Sequence, residues 1–252
     1  MTALDYALFD ADNHYYEPRD AFTRYMEPRY RDKAIHVVQD ENGKDRVLVG
    51  RRLFTFLPHR SFDVTLKPGT LKEMLRNFGS FDEAELREAI QPEYQNRDAR
   101  IALMDAQGLE AILLFPTFGV CLEHFMKDDV EQTYANLRAV NRWLDEEWGF
   151  AFQGRIFAPP LLSMLDVDRA VEDLEWALAR GARAIHIRPG PAGGRNPAHP
   201  HFDPFWARVN EARLLVIYHI SESGYNEMMS VNWGEAPNPP SHGQSALQWT
   251  NF

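Results

Sequence analysis

Short apolar runs alternate along the chain with stretches of helical spacing, most regularly after residue 95. Runs that predict buried strands occupy residues 6–9, 109–115, 155–158, 182–187 and 214–219. Stretches in which apolar residues recur at helical intervals occupy residues 96–107, 129–148, 166–179 and 204–212. Strands that alternate with helices predict an α/β fold with a parallel sheet and right-handed crossovers.

The region between the first strand and residue 95 interrupts this alternation. Residues 34–38 and 46–49 flank the turn sequence ENGK, which predicts a β-hairpin, and residues 52–56 extend it by a third strand. Short helices are predicted over residues 18–26, 71–78 and 82–89. We interpret residues 30–95 as an insertion with hairpin and helical parts, inside a single domain that spans residues 1–252.

The number of strands leaves two architectures open. Five parallel strands satisfy an open doubly wound sheet, whereas a closed (β/α)₈ barrel needs three more. No glycine-rich phosphate loop follows the first strand, which argues against the dinucleotide-binding form of the open sheet.

Charge and cysteine content narrow the class of protein. The net charge of −10 is spread along the 252 residues, which argues against a nucleic-acid partner. Cys121 is the single cysteine, so an intramolecular disulfide is impossible and a reducing compartment is expected. No signal-peptide pattern is visible and no apolar run is long enough to span a bilayer. We expect a cytoplasmic protein with a small-molecule substrate and no membrane partner.

Candidate chemistry begins just after the first apolar run. Asp12 and His14 are two residues apart, so a strand that continued through them would point both side chains to one face. A carboxylate and an imidazole that converge form half of a site for zinc or manganese. The same residues also fit the start of a helix, with Asp12 or Asn13 as the N-cap, and local sequence leaves both interpretations open.

Further polar residues lie where parallel α/β folds place their ligands, at the C-terminal ends of strands. His219 is the last residue of the fifth predicted strand, and Arg188 follows the fourth. His186 lies within the fourth strand, where a core histidine with satisfied hydrogen bonds is the simpler interpretation. His124 follows the second strand and is placed to line a cleft.

Several segments together resemble a known family. Residues 9–18, with the sequence FDADNHYYEP, resemble the opening of the amidohydrolase-related proteins, in the branch of aminocarboxymuconate semialdehyde decarboxylase and γ-resorcylate decarboxylase. Later segments agree in order, namely NRW at 141–143, GARAI at 181–185 followed by RP, and DPFW at 203–206 followed by LVIYH at 215–219. The similarity runs from residue 6 to about residue 220.

The resemblance implies a TIM-barrel-like (β/α)₈ fold with one divalent metal ion, zinc or manganese, at its mouth. Asp12 and His14 match the strand-1 ligand pair, and His219 matches the strand-5 ligand. The family also uses a histidine after strand 6 and an aspartate after strand 8, and this sequence has no segment that matches either. We therefore expect an incomplete barrel of about five of eight βα units. A truncated product, completion by another chain, and a shortened protein completed by its hairpin or by homo-oligomerisation are the explanations considered.

The implied activity is that of a metal-dependent hydrolase acting on a small carboxylate-bearing or cyclic substrate, and the alternative within the family is a non-oxidative decarboxylase, a lyase. In either reaction Arg188 would pair with a substrate carboxylate. His124 and His186 would be the acid–base candidates in place of the strand-6 histidine. The alternative from another class is a catalytically incomplete module that associates with a partner chain through its open sheet edge.

Overall fold

The computed structural model describes residues 6–54, 56, 62–70, 72, 87–219 and 224. The strands are β1 (Leu8–Tyr15), β2 (Ile35–Gln39), β3 (Asp45–Val49), β4 (Arg52–Leu53), β5 (Val64–Leu66), β6 (Arg87–Ala89), β7 (Leu109–Pro116), β8 (Ile156–Phe157), β9 (Leu161–Leu162), β10 (Ala184–Ile187) and β11 (Leu215–Ile217). The α-helices are α1 (Arg97–Gln107), α2 (Glu123–Met126), α3 (Val130–Glu147), α4 (Val167–Leu178) and α5 (Asp203–Ala212). Short 3₁₀ helices cover Pro28–Lys33, Pro92–Tyr94, Gly119–Cys121 and Pro200–Phe202.

Parallel strands form two three-stranded sheets, ordered β1-β7-β8 and β11-β10-β9. Only residues 158–160 separate β8 from β9, so one stretch of chain pairs with β7 on one side and with β10 on the other. This stretch contains Pro159 and Pro160, and proline has no N–H to donate to a ladder, which explains why the strand divides there. The predicted parallel sheet is confirmed, with its third strand split in two.

The order of the parallel strands is TIM-barrel-like, and helices cover the outer face of the sheets. Ile185 and Ile187 of β10 pack outward with Leu174 of α4 and Phe205 of α5. On the opposite face, Ala184 packs with residues of β7 and β11 in a small interior cluster. Among the described residues no strand joins the outer edge of β1 to that of β11, so this part of the chain forms no closed barrel.

Helices α1, α3, α4 and α5 begin and end within one residue of their predicted bounds. Asn96 caps α1 by accepting hydrogen bonds from the backbone N–H groups of Asp98 and Ala99, and Gly108 ends the helix with a φ of 72°. Asp129 and Asp166 cap α3 and α4 in the same way. None of the helices within the described ranges is long and apolar enough to cross a membrane.

The predicted hairpin is present as β2 and β3, which pair antiparallel from Ile35 opposite Val49 to Gln39 opposite Asp45, and β4 extends it. The side chain of Asn136 on α3 accepts a hydrogen bond from the backbone N–H of Ile35 at 2.7 Å, which attaches the hairpin to the helical layer. Strands β5 and β6 form a further antiparallel pair that the sequence patterns did not indicate.

Two helix predictions in this region are wrong for the residues that the structure describes. Residues 19–25 form consecutive turns, because hydrogen bonds such as Ala21 N–H to Pro18 O and Met26 N–H to Thr23 O span three residues. Residues 87–89, predicted as the end of a helix, instead form β6, where they pair with β5. Of the helix predicted over 71–78 only residue 72 is described, and residues 82–86 of the next predicted helix lie outside the described residues.

Asn141 on α3 fixes the strand that restarts after the proline pair. Its side-chain amide donates to Leu161 O at 2.8 Å and its oxygen accepts from Leu161 N at 2.9 Å, and both groups are buried. We expect Asn141→Ala to lower the free energy of unfolding by about 2–4 kcal/mol, because two buried backbone groups lose their partners. Urea unfolding of this variant measures the loss. Asn210→Ala on the exposed face of α5 is the matched control and should change stability by no more than about 0.5 kcal/mol. Equal losses in the two variants would contradict this role for Asn141.

Candidate metal centre

Asp12, His14 and His219 meet at the C-terminal ends of the parallel strands. Among the described residues they form a group whose potential ligand atoms all lie within 4.8 Å of one another. Nε2 of His219 is 3.1 Å from Oδ1 of Asp12, and Nε2 of His14 is 3.5 Å from the same oxygen. The two imidazole rings stand edge to face with centroids 5.0 Å apart. The three residues that the sequence assigns to a metal are thus neighbours in space.

The structure excludes the helix-cap interpretation of the Asp12 region. Strand β1 continues through Asp12 and His14 to Tyr15, and no α-helix follows it in the next described segment, so Asp12 and Asn13 cap no helix. One detail of the prediction is wrong: His219 lies two residues beyond the end of β11, not at the last position of the strand. This position carries its ring across the end of the sheet towards β1.

A β-bulge directs Asp12 into the group. Asp10 pairs with Ile112 and Asn13 pairs with Leu114, so three steps along β1 correspond to two along β7. An extra residue in one strand bends it locally and turns its side chain, as β-bulges do next to many active sites. The Asp12 side chain is 73% exposed, so the group is open to ions and small molecules from solvent.

A backbone contact fixes the proton of His14. Its Nδ1 lies 3.2 Å from Pro116 O, and a carbonyl oxygen only accepts, so Nδ1 carries the hydrogen. Nε2 therefore presents its lone pair towards Asp12. Burial, and then the proximity of His219, lower the pKa of His14, which keeps its imidazole neutral near pH 7.

These donors fit a divalent metal ion. Two imidazole nitrogens and a carboxylate oxygen are ligands that zinc takes in catalytic sites, with a fourth position left for water or substrate. Ligand atoms at tetrahedral corners about 2.0–2.1 Å from zinc lie roughly 3.3 Å from one another. The separations of 3.1 Å and 3.5 Å at Asp12 Oδ1 agree with that spacing.

A second charged group lies on the loops that follow the neighbouring strands. Oγ of Ser163 and Oε1 of Glu123 are 2.8 Å apart, and Nε of Arg188 lies 3.7 Å from the same carboxylate oxygen. Arg188 also donates to the carbonyl oxygens of Pro189 and Pro191. All three side chains are buried, and burial raises the pKa of Glu123 even though Arg188 and Ser163 act in the opposite direction.

Glu123 and Ser163 were missed by the sequence analysis. The available signal was their position, since Ser163 follows β9 directly and Glu123 begins the short helix α2 after β7.

Glu17 is a further residue whose role the sequence did not indicate. Its carboxylate is fully buried and accepts hydrogen bonds from Phe118 N at 2.9 Å and from Gly119 N at 2.6 Å. It thereby joins the segment after β1 to the segment after β7. A Cβ at Gly119 would stand 3.0 Å from Leu161 Cδ1 and 3.3 Å from Glu17 Oε1, so glycine allows this close approach.

The structure places His186 and His124 differently. His186 is buried within β10, and burial with the nearby His219 lowers its pKa to about 3. In the part of the chain that the structure describes, its Nε2 has no hydrogen-bond partner, which differs from the satisfied core histidine that the sequence favoured. His124 lies on α2 against Gly224, where a Cβ would stand 2.5 Å from His124 Cε1 and where φ is +84°.

Comparison with known proteins assigns the chain to a family. A chain of similar structure is a crystal structure of an amidohydrolase from Mycobacterium avium subsp. paratuberculosis K-10, with a TM-score of 0.83 and 40% sequence identity. The match covers 92% of the present chain and 63% of the mycobacterial chain, so the present chain spans less than two thirds of that protein. A comparison with curated proteins found no match. The family model described as amidohydrolase matches residues 9–249, and the chain therefore belongs to the amidohydrolase family.

Proposed function

We propose that the chain is a metal-dependent hydrolase in which Asp12, His14 and His219 hold one divalent ion, zinc or manganese. The observation that carries the proposal is the convergence of these three donors at the C-terminal ends of β1 and β11, together with the Nδ1 contact that directs the lone pair of His14 towards them. When bound, the ion would supply Lewis-acid polarisation of a substrate oxygen and activation of water.

The protein's own residues would prepare this chemistry. His14 is held in one tautomer by Pro116 O and stays neutral, so no proton has to leave before a ligand binds. Asp12 contributes a negative charge that offsets part of the charge of a divalent cation. Because Asp12 is exposed while His14 and His219 are more deeply placed, substrate would approach from the side of the carboxylate.

Arg188 supports a substrate class. It follows β10 at the same end of the sheet as the three donors, and the carbonyl oxygens of Pro189 and Pro191 fix its orientation. A planar guanidinium group can form two parallel hydrogen bonds to a carboxylate, so we assign a small carboxylate-bearing or cyclic acid as substrate.

Proton transfer is assigned to His124 and not to His186. A general base works best when its pKa is near the operating pH, and the value of about 3 for His186 makes its imidazole a weak base. His124 is only partly buried, on the short helix beside Glu123. In this arrangement His186 contributes a neutral ring to the interior, close enough to His219 for the two imidazoles to influence each other.

The open edges of the two sheets support a second proposal, that the chain forms a homo-oligomer. Among the described residues nothing pairs with the outer edges of β1 and β11, and Phe9 on β1 and Leu215 on β11 are 54% and 52% exposed. Unpaired edges that carry apolar side chains favour association with another chain.

The metal proposal makes a direct prediction. Protein stripped with a chelator and reloaded with zinc or manganese should bind about one ion per chain by elemental analysis. His219→Ala should weaken binding by more than about 100-fold, because loss of a ligand exceeds the 10–100-fold effect of losing an outer hydrogen-bond partner. The exposed His201→Ala is the matched control and should bind as the wild type does. Absence of metal from the wild type, or unchanged affinity in His219→Ala, would overturn the proposal.

The reaction class is tested with metal-loaded protein and two sets of small acids. One set carries a hydrolysable amide, ester or lactone, and the other consists of aromatic carboxylic acids without such a bond. We expect hydrolysis in the first set, with Arg188→Met raising the KM because the substrate carboxylate loses its partner. Release of CO₂ from the second set, with no hydrolysis in the first, would identify a decarboxylase instead.

The buried state of His186 predicts a pH dependence of stability in the metal-free protein. Its folded pKa of about 3 lies below the unfolded value of 6.5, so below that value the unfolded chain takes up a proton that the folded chain does not. Stability is therefore lost as the pH falls, by about 2 kcal/mol from this group between roughly pH 7 and pH 5. Urea unfolding at the two pH values should show a smaller loss for His186→Gln than for the wild type. Parallel profiles would show that His186 titrates normally.

Association through the sheet edges predicts a concentration-dependent mass. Sedimentation velocity of the wild type should show an oligomer, and the double variant Phe9→Ser, Leu215→Ser should shift the protein towards the monomer because the apolar edges lose their driving force. The exposed Leu53→Ser change, on the hairpin, is the control. A wild-type monomer at all concentrations would contradict homo-oligomerisation.

A further inference from the structure

Arg100 on α1 lies buried behind the strand that carries Asp12 and His14, and only 4% of it is exposed. Its Nη2 donates to the backbone oxygen of His14 at 2.9 Å, and its Nη1 donates to Oδ1 of Asn13 at 2.6 Å. Its Nε donates to Glu93 O at 2.7 Å. One side chain therefore holds the backbone of one proposed ligand and the residue between the two ligands of β1.

Burying this arginine is costly, which makes its position informative. Among the described residues no carboxylate forms an ion pair with it, and burial lowers its pKa. Three hydrogen bonds from a charged donor, and the ring of Tyr94 at 5.5 Å from the guanidinium carbon, offset part of the cost. An apolar side chain at this position would fill the space without that cost, but it would leave the bulged strand without donors.

Asp10 also holds the bulged part of β1. Its Oδ1 accepts from Asp12 N at 3.0 Å, and its Oδ2 accepts from Nδ2 of Asn13 at 2.8 Å. The amide of Asn13 thus bridges Asp10 and Arg100, donating to the acid and accepting from the base, and only one orientation of the amide satisfies both contacts. These bonds act on the bulge, where the ladder to β7 is interrupted and its hydrogen bonds cannot hold Asp12.

We propose that Arg100, acting through Asn13 and the backbone of His14, is the positioning residue that sets the spacing of Asp12 and His14 and with it the affinity and coordination geometry of the metal centre. The inference rests on the proposed function, because it assigns Arg100 a role only if those residues bind an ion. Outer hydrogen-bond partners of metal ligands typically change metal affinity by about 10–100-fold.

The test uses Arg100→Met with Arg155→Met as the matched control. Arg155 also braces the sheet by donating to backbone oxygens, those of Glu110 at 2.9 Å and Leu109 at 2.8 Å, but at the opposite end of β7. Both variants are stripped of metal and titrated with Zn²⁺ against a chelating indicator, and unfolding of the metal-free proteins is measured in parallel. We expect both to lose stability, whereas only Arg100→Met should lose affinity, by about 10–100-fold.

Visible absorption of the Co²⁺-loaded proteins provides a readout that general destabilisation does not move. A change in ligand positions alters the d–d bands, so Arg100→Met should differ from the wild type and Arg155→Met should coincide with it. Asn13→Ala removes the bridge and keeps the arginine, and it should shift affinity and spectrum in the same direction. This variant carries the test if Arg100→Met does not fold.

The possible failures are distinguishable. Metal binding by the wild type with equal affinities and spectra in Arg100→Met, Asn13→Ala and Arg155→Met would overturn the positioning role and leave the metal centre standing. A wild-type protein that binds neither Zn²⁺ nor Co²⁺ would overturn the proposed function, and the positioning role with it.

Discussion

The approach of β1 and β11 at one end of the sheets is the constraint on which the site depends. Asp12 and His219 are 207 positions apart, yet their side chains lie 3.1 Å from each other. Parallel strands place their C-terminal ends on one side, and the twist between neighbours curves the row until its first and last members face each other. Among the described residues no backbone ladder joins β1 to β11, so side-chain contacts join the two strand ends, including those of Phe115 with His14 and His219. The positions of the intervening β7, β8, β9 and β10 therefore determine whether a single ion can contact both.

Buried charged and polar groups fasten the segments at this end of the sheet. Glu17 holds two backbone N–H groups after β7, Arg188 holds carbonyl oxygens after β10, and Arg100 holds the bulge in β1. Segments beyond strand ends have no ladder partners, so their backbone groups need side chains or water instead. Charged side chains give stronger and more directional bonds than neutral ones, which restrains these segments in return for the cost of burial. At the opposite end, short turns lead from the C-terminal ends of helices into strands, as at Gly108 between α1 and β7.

The sequence predicted the elements whose cause is local, and failed where the cause is distant. The apolar periodicity of α3 and the apolar run of β7 were sufficient to locate these two elements. Strand alternation was sufficient to predict that Asp12 and His14 share one face. The bulge was not predictable from local sequence, and Arg100, which bonds the bulged segment, lies on α1, 86 positions from His14. Residues 19–25 were predicted as a helix because their composition suits one. Their turns instead bury Ala21 and Phe22 within the segment and place Arg19 where it bonds Asp45 and Asp63. Likewise, Glu123 and Ser163 form a pair only through the fold.

The energetics of the three-residue cluster favour an ion at its centre. As salt bridges, the contacts in the cluster contribute little to the stability of the fold, because Asp12 is largely exposed and exposed pairs contribute at most about 1 kcal/mol. Burial, and then the proximity of His219, lower the pKa of His14, which weakens its attraction to Asp12 as an ion pair. The arrangement offers two imidazole nitrogens, and the lone pair of His14 Nε2 is fixed towards a carboxylate oxygen. These properties add little to the stability of the folded chain, whereas each of them favours the binding of a divalent cation.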